Sequence, residues 1–209
     1  MLSEDVLRTL ADGTRVRIRP LVGADRDWIS RGVQELSEES RYSRFLAPVR
    51  QLSPSALSRL VDSVDGDRHV ALVVFEVPVT GPDAPIGVAR FVRLATDPWC
   101  AEVAVTVIDR HQGKGLATVL CGLLVERACE LGVGCFSATM NSSNEASQRL
   151  LLQLGQVSRR ESLGYGVTEV VVVLPCARPE DALAAAGLPS GRGRGVPAAR
   201  SGPPVEVVR

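Results

Sequence analysis

Residues 101–120 read AEVAVTVIDRHQGKGLATVL, and two features of this stretch have the residue types that chemistry needs. Glu102 interrupts a run of small and branched apolar residues. Such surroundings disfavour a charged carboxylate and raise its pKa toward the range a general base needs at neutral pH. Period-two alternation places Glu102 on one strand face with Ala104, Thr106 and Ile108, opposite Ala101, Val103, Val105 and Val107. Ala104 and Thr106 are small and leave room beside the carboxylate. The alternative role for Glu102 is an ion pair with an arginine such as Arg90 or Arg93. A few residues later Lys114, the only lysine of the chain, stands between Gly113 and Gly115, just ahead of a helical pattern. The first amides of a helix have no intrahelical acceptor. Glycines leave those amides unshielded, and the helix dipole adds about 0.3–1 kcal/mol for an exposed anion. The turn therefore suits a phosphate or pyrophosphate, against the alternative of an ordinary strand-to-helix connection. Neither the GxxxxGK[ST] of a Walker A loop nor the GxGxxG of a dinucleotide-binding βαβ unit is present.

Both features need elements to hold them, and the chain supplies a consistent set. Residues 14–21 alternate Val16 and Ile18 with Arg15, Arg17 and Arg19, which predicts a half-buried edge strand. Helices are predicted over 23–36, within 36–48 and over 53–64, where Ser53 and Pro54 form a cap and first-turn pair. The period then changes to that of strands at 69–77, 86–95 and 99–108. A helix over 115–131 carries an apolar stripe of Leu116, Leu120, Leu123, Leu124, Ala128 and Leu131. A strand at 134–140, a helix at 143–154 and strands near 157–162 and 168–174 complete the pattern. No internal repeat interrupts this order, which predicts an α/β (α+β) sheet flanked by helices. Residues 10–176 form the expected domain. Residues 177–209 are expected to hold a helical turn or two and then a mobile tail rich in Gly, Pro and Arg.

Composition narrows the function classes. The chain has 209 residues, 45% of them apolar, and its 24 Lys+Arg balance its 24 Asp+Glu. That length fits one domain with a real core, and the charge balance argues against a general nucleic-acid binder. Five cysteines without a CxxC pair are expected as reduced, mostly buried thiols of a cytoplasmic protein. No signal-peptide core or membrane-length apolar run is present, and two histidines without clustered ligands predict no metal site.

The element Gln112-x-x-Gly115-x-Ala117 matches the Q/R-x-x-G-x-G/A signature of the GNAT superfamily of N-acetyltransferases, where it binds the pyrophosphate of acetyl-CoA. The resemblance extends upstream to AEVAVTVI and downstream to NSSNEASQRLLLQLG, which is similar to the family's second motif through Asn144, Ser147, Leu151, Leu154 and Gly155. IRPL, LSEESRYSRF and the pair HVALVV and IGVARFVR resemble the catalytic domains of bacterial protein lysine acetyltransferases. This resemblance implies a mixed, mostly antiparallel, splayed sheet of about seven strands. Strands 101–108 and 134–140 would part to admit the pantetheine arm. The expected donor-site residues are Val105, Val107, Ile108, Asp109, Gln112, Gly113, Lys114, Gly115, Leu116, Ala117, Thr118 and Asn144. Backbone groups at 107–109 would pair with the pantetheine amides. Lys114 and Arg110 would either add positive charge near the phosphates or remain solvated surface cations.

Transfer of acetyl to an amine needs a neutral nitrogen, and a free lysine with pKa about 10.4 is almost wholly protonated at pH 7. The resemblance implies that Glu102 removes the proton through a water. Arg41, Tyr42 and Arg44 lie in the segment that borders the acceptor in similar enzymes, with core packing as the alternative for Tyr42. One departure stands out. The tyrosine that many GNAT enzymes place seven residues after the motif Asn is Leu151 here, and the Phe after Leu-Gly is Gln156. Solvent can protonate the departing thiolate, since a thiol of pKa about 8.5 is a fair leaving group. The expected activity is acetyl-CoA-dependent acetylation of a primary amine on a protein lysine. A small amine acceptor, or a non-catalytic acyl-CoA-binding module, is the alternative. The protein is expected to act as a monomer or homodimer, with no nucleic-acid or membrane partner.

Overall fold

A computed structural model of the chain describes residues 5–178. The stretch from 179 onward, where the sequence predicts a helical turn and a tail, lies outside the described residues. Strand β1 (Val6–Thr9) is followed by β2 (Arg15–Pro20), then helices α1 (Arg26–Glu35), α2 (Glu38–Phe45) and α3 (Pro54–Val61). Strands β3 (His69–Glu76), β4 (Ala84–Arg93) and β5 (Cys100–Val107) precede α4 (Leu116–Glu130). The chain continues through β6 (Cys135–Asn141), α5 (Glu145–Leu154), β7 (Gln156–Gly164) and β8 (Val167–Val173).

The helices start where local chemistry allows it. Ser37 Oγ accepts from the Ser40 amide at 3.1 Å at the head of α2, and Ser53 Oγ accepts from Ala56 at 3.1 Å at the head of α3. Asn144 caps α5 by accepting from Ser147 at 3.0 Å. At the other end of α5, a Cβ on Gly155 would run into the carbonyl oxygen of Val173. Close approach, rather than backbone conformation, is what requires glycine after Leu154.

The strands form one sheet in the order β1-β2-β3-β4-β5-β6-β8-β7, antiparallel throughout except for the parallel β5–β6 pair. The sheet has eight strands instead of about seven, and β2 is internal instead of an edge, because β1 pairs with it from Val6↔Ile18 to Thr9↔Arg15. The segment VLRT is too short to show a strand period, so only its partner reveals it.

Alternation divides the sheet into two working faces. Val70, Leu72, Val74, Ala89, Phe91, Ala101, Val103 and Phe136 pack with Leu116, Leu120 and Leu124 of α4 and Leu151 and Leu154 of α5 in the main core. On the opposite face Ala71 and Val88 meet Ile29, Leu57 and Leu60 of α1 and α3. Glu102 belongs to this second face, as the sequence alternation predicts.

The cysteine expectation is corrected. Cys100 pairs with Cys135 across the β5–β6 junction, and Cys129 at the end of α4 pairs with Cys176 after β8, leaving Cys121 free and buried. Spacing could not show this, because each partner is brought close only by the parallel strand pairing and the return of the chain past α4. Burial pushes the Cys121 thiol up to about 12, so it should not react in the folded protein. Thiol titration of unfolded, unreduced protein is expected to find one free group; five would show that both bridges are open. Among the described residues no helix is long and apolar enough to cross a membrane.

Candidate active site

Strands β5 and β6 are in register for only three pairs, Cys100↔Cys135, Ala101↔Phe136 and Glu102↔Ser137. Past that point β5 keeps its bonds to β4 as far as Gly87↔Val107, and β6 keeps its bonds to β8 as far as Asn141↔Val167. The two strands therefore diverge into a fork with Glu102 and Ser137 at its apex. Main-chain groups of β5 beyond Glu102 line one edge of the gap, where an extended ligand could bond as an added strand would.

At the open end of the fork the chain makes a single 3-10 turn, Asp109–His111, and passes through Gln112 into α4. Gly113 and Gly115 have φ of 73° and 81°, the left-handed region that glycine occupies without penalty. A Cβ on either would meet no atom of the described residues within 4 Å, so among these residues nothing crowds the amides behind them. Among the described residues no side chain caps α4. The first N–H to find a main-chain partner there is that of Val119, which donates to Gly115 at 3.1 Å. The amides of Leu116, Ala117 and Thr118 are the free donors of a 15-residue helix. The arrangement fits a diphosphate.

The turn is braced from both sides. Gln112 Nε2 donates to the Val107 carbonyl at 2.9 Å and to Ser40 Oγ at 3.1 Å. Asp109 accepts from the Ser37 amide at 2.9 Å and from the hydroxyls of Ser37 and Ser40 at 2.7 Å each. Burial pushes the Asp109 carboxyl up, but these donors outweigh it and hold it below the usual range. Its side chain thus ties α2 to the end of β5. Val105, Val107, Asp109, Gln112, Gly113, Gly115, Leu116, Ala117, Thr118 and Asn144 all line one cleft of about 2250 Å³ that also contains Glu102.

Several expected contributors lie elsewhere. Lys114 is committed to Asp12 in the β1–β2 turn at 2.9 Å, and this contact lowers the Asp12 carboxyl to about 2. Arg110 faces Glu35 at 3.5 Å on the surface, which is the solvated alternative. Ile108 is buried in the main core and its amide bonds Ile86 at 3.0 Å. Arg41 turns back to the Leu36 carbonyl at 2.5 Å, whereas Tyr42 of the same helix is exposed on the cleft wall. Tyr165, the other tyrosine of the chain and so the other candidate to protonate the thiolate, is fully exposed in the β7–β8 turn, and Leu151 is buried in the core.

The apex itself is charged. Burial raises the pKa of Glu102; the Arg44 guanidinium opposes that rise and Glu169 adds to it. Arg93 instead binds the carbonyls of Pro98 at 2.9 Å and Leu131 at 2.6 Å. Arg90 shares the Glu102 face of β4, its cross-strand neighbour being Ala104, while Glu102 itself faces Val92. Arg90 Nη1 donates to the Leu60 carbonyl at 2.8 Å and lies 3.2 Å from His69 Nε2. Neither arginine forms an ion pair with Glu102. The meeting of Arg44 with Glu102 and Arg90 was only half legible. Arg44 lies beside Tyr42 in the acceptor-side segment, but nothing local connects it to β4.

Comparison with known proteins agrees with this geometry. The acetyltransferase (GNAT) domain family matches residues 15–157. An acetyltransferase of Pseudomonas aeruginosa is 32% identical over 74% of the chain and 82% of its own length. The acetyltransferase Pat of Mycolicibacterium smegmatis is 37% identical over 74% of the chain, which spans 45% of that longer protein. The crystal structure of the GNAT domain of S. lividans PAT superposes with a TM-score of 0.71 at 28% identity, covering 81% of this chain and 97% of that domain.

Proposed function

The chain belongs to the GNAT acetyltransferase family and is an acetyl-CoA-dependent N-acetyltransferase, and from that premise we propose that it acetylates protein lysines with Glu102 as the base. The observation that carries this reading is the placement of one carboxylate of raised pKa at the apex of the β5–β6 fork. The diphosphate turn lies at the fork's open end. Acetyl-CoA would lie along the free edge of β5, with its diphosphate against the amides of Leu116, Ala117 and Thr118 and its thioester near the apex. The acceptor amine enters from the face that α1, α2 and α3 cover. Glu102, through a water, takes the ammonium proton, and the neutral nitrogen attacks the thioester carbonyl. The carbon–sulfur bond then breaks, the nitrogen releases its surplus proton to solvent as the amide forms, and the departing thiolate is protonated by solvent, because Leu151 offers no donor. The resemblance of IRPL, LSEESRYSRF and the HVALVV and IGVARFVR pair to protein lysine acetyltransferases supports a protein acceptor.

The test is acetylation of a lysate from cells that lack the gene, read by mass spectrometry of lysine-containing peptides. Purified protein and acetyl-CoA are expected to modify a defined set of lysines, and the Glu102→Gln variant to leave that set unmodified. Acetylation confined to polyamines, amino acids or other small amines would contradict the protein-acceptor reading.

A further inference from the structure

The cleft apex holds more positive charge than the described residues neutralise. Arg44 projects from α2, which lies over β5 and β6, and its half-buried side chain lines the cleft wall. Among the described residues it makes no hydrogen bond or ion pair; it lies over the ring of Phe45 at 5.2 Å, and burial pushes its pKa down while the charge of Glu102 opposes that. Arg90 is buried at 5% exposure, and its hydrogen-bonding partners are a carbonyl and an imidazole, not a carboxylate. That imidazole adds no negative charge: burial and Arg90 push His69 down to about 4, so it is neutral at pH 7. Glu169, the other carboxylate that Glu102 senses, is held by Arg159 at 2.5 Å. Arg44 therefore faces both Glu102 and Arg90, while Arg90, one residue pair along the same sheet face, meets Arg44 and, among the described residues, no carboxylate. Burial and Arg44 push Arg90 down to about 9, which still leaves it charged at neutral pH.

An uncompensated buried cation is costly and persists only where something outside the fold balances it. A guanidinium fork matches a carboxylate in shape as well as charge. We propose that Arg44 and Arg90 form a carboxylate-binding subsite beside Glu102, filled by an acid group that arrives with the substrates. The inference rests on the acyltransferase reading of the cleft and adds a specificity to it. The acid has two possible sources. It is an acidic side chain next to the acceptor lysine, or the free carboxylate of a dicarboxylic acyl group on the donor. In either case the subsite disfavours acceptors that carry only positive charge, such as polyamines.

The experiment has two arms. In the acceptor arm, kcat/KM with acetyl-CoA is compared for lysine peptides that differ only by Asp or Asn beside the lysine. In the donor arm, calorimetry compares the affinities of succinyl-CoA and butyryl-CoA, which needs no acceptor. The wild-type protein is expected to favour the acid in one arm by at least about tenfold, the worth of one charge-assisted pair. That arm identifies the source. The ratio is expected to fall below about threefold in Arg44→Met, whose half-exposed position makes misfolding easy to exclude by thermal melting. Ratios near one in both arms of the wild-type protein would overturn the subsite while leaving the transferase reading standing. So would a ratio that survives in both Arg44→Met and Arg90→Met. Failure to bind any acyl-CoA would overturn the two readings together.

Discussion

Replacing Glu102 by Gln is expected to lower kcat by about 10²–10⁴ while acetyl-CoA affinity stays within about twofold. The amide keeps the size of the side chain at the fork apex but cannot accept the proton of an ammonium. The diphosphate turn, at the other end of β5, is untouched. The pH profile gives an independent reading. Glu102 must be ionised to act, and burial moves its pKa above the usual 4.5. The wild-type rate should therefore fall, as pH drops, at a higher pH than an ordinary carboxylate would give. Removal of Arg44 should move that limb higher still, because its charge is what opposes the rise. In the Gln variant the limb should disappear. Equal rates for the two proteins at neutral pH would remove Glu102 from the mechanism.

Gly115→Asp is expected to weaken donor binding more selectively than any change in the core. Gly115 has φ of 81° and heads α4 with its Cβ position facing open space. Asn and Asp tolerate this backbone region better than other side chains, so both variants should fold. They differ in charge at the mouth of the amide nest. A carboxylate about 5 Å from a diphosphate in a wet site costs roughly 2 kcal/mol, or about thirtyfold in Kd. Gly115→Asn should lose only a few-fold by crowding the same space. Similar losses for the two variants would mean that the turn does not face the phosphates.

What was readable in the sequence is what local pattern encodes. The alternation around Glu102 fixed its face, because a strand has no other way to sort its side chains. The Gln112–Ala117 spacing marked the turn, since positive φ at two nearby positions demands glycine. The cap at Ser53 was equally local. What escaped depends on distant partners. Strand β1 exists only because β2 receives it. The Cys100–Cys135 bridge forms only because β5 and β6 run in parallel register. Arg44 reaches the apex because Asp109 ties α2 to the end of β5, a contact between residues about seventy positions apart. Lys114 shows the same limit: its place between two glycines left it either near the phosphates or a solvated surface cation, and nothing local announces its ion pair with Asp12, about a hundred residues upstream.

The most direct measurement is a calorimetric titration of the wild-type protein with acetyl-CoA. The geometry predicts a saturable, one-to-one complex with a Kd in the micromolar range, roughly −8 kcal/mol. It also predicts a marked loss of affinity for dephosphorylated pantetheine carrying the same acetyl group. No heat of association at millimolar acetyl-CoA, or equal affinity for the two ligands, would contradict the assignment of the bare amides after Gly115 as the diphosphate grip.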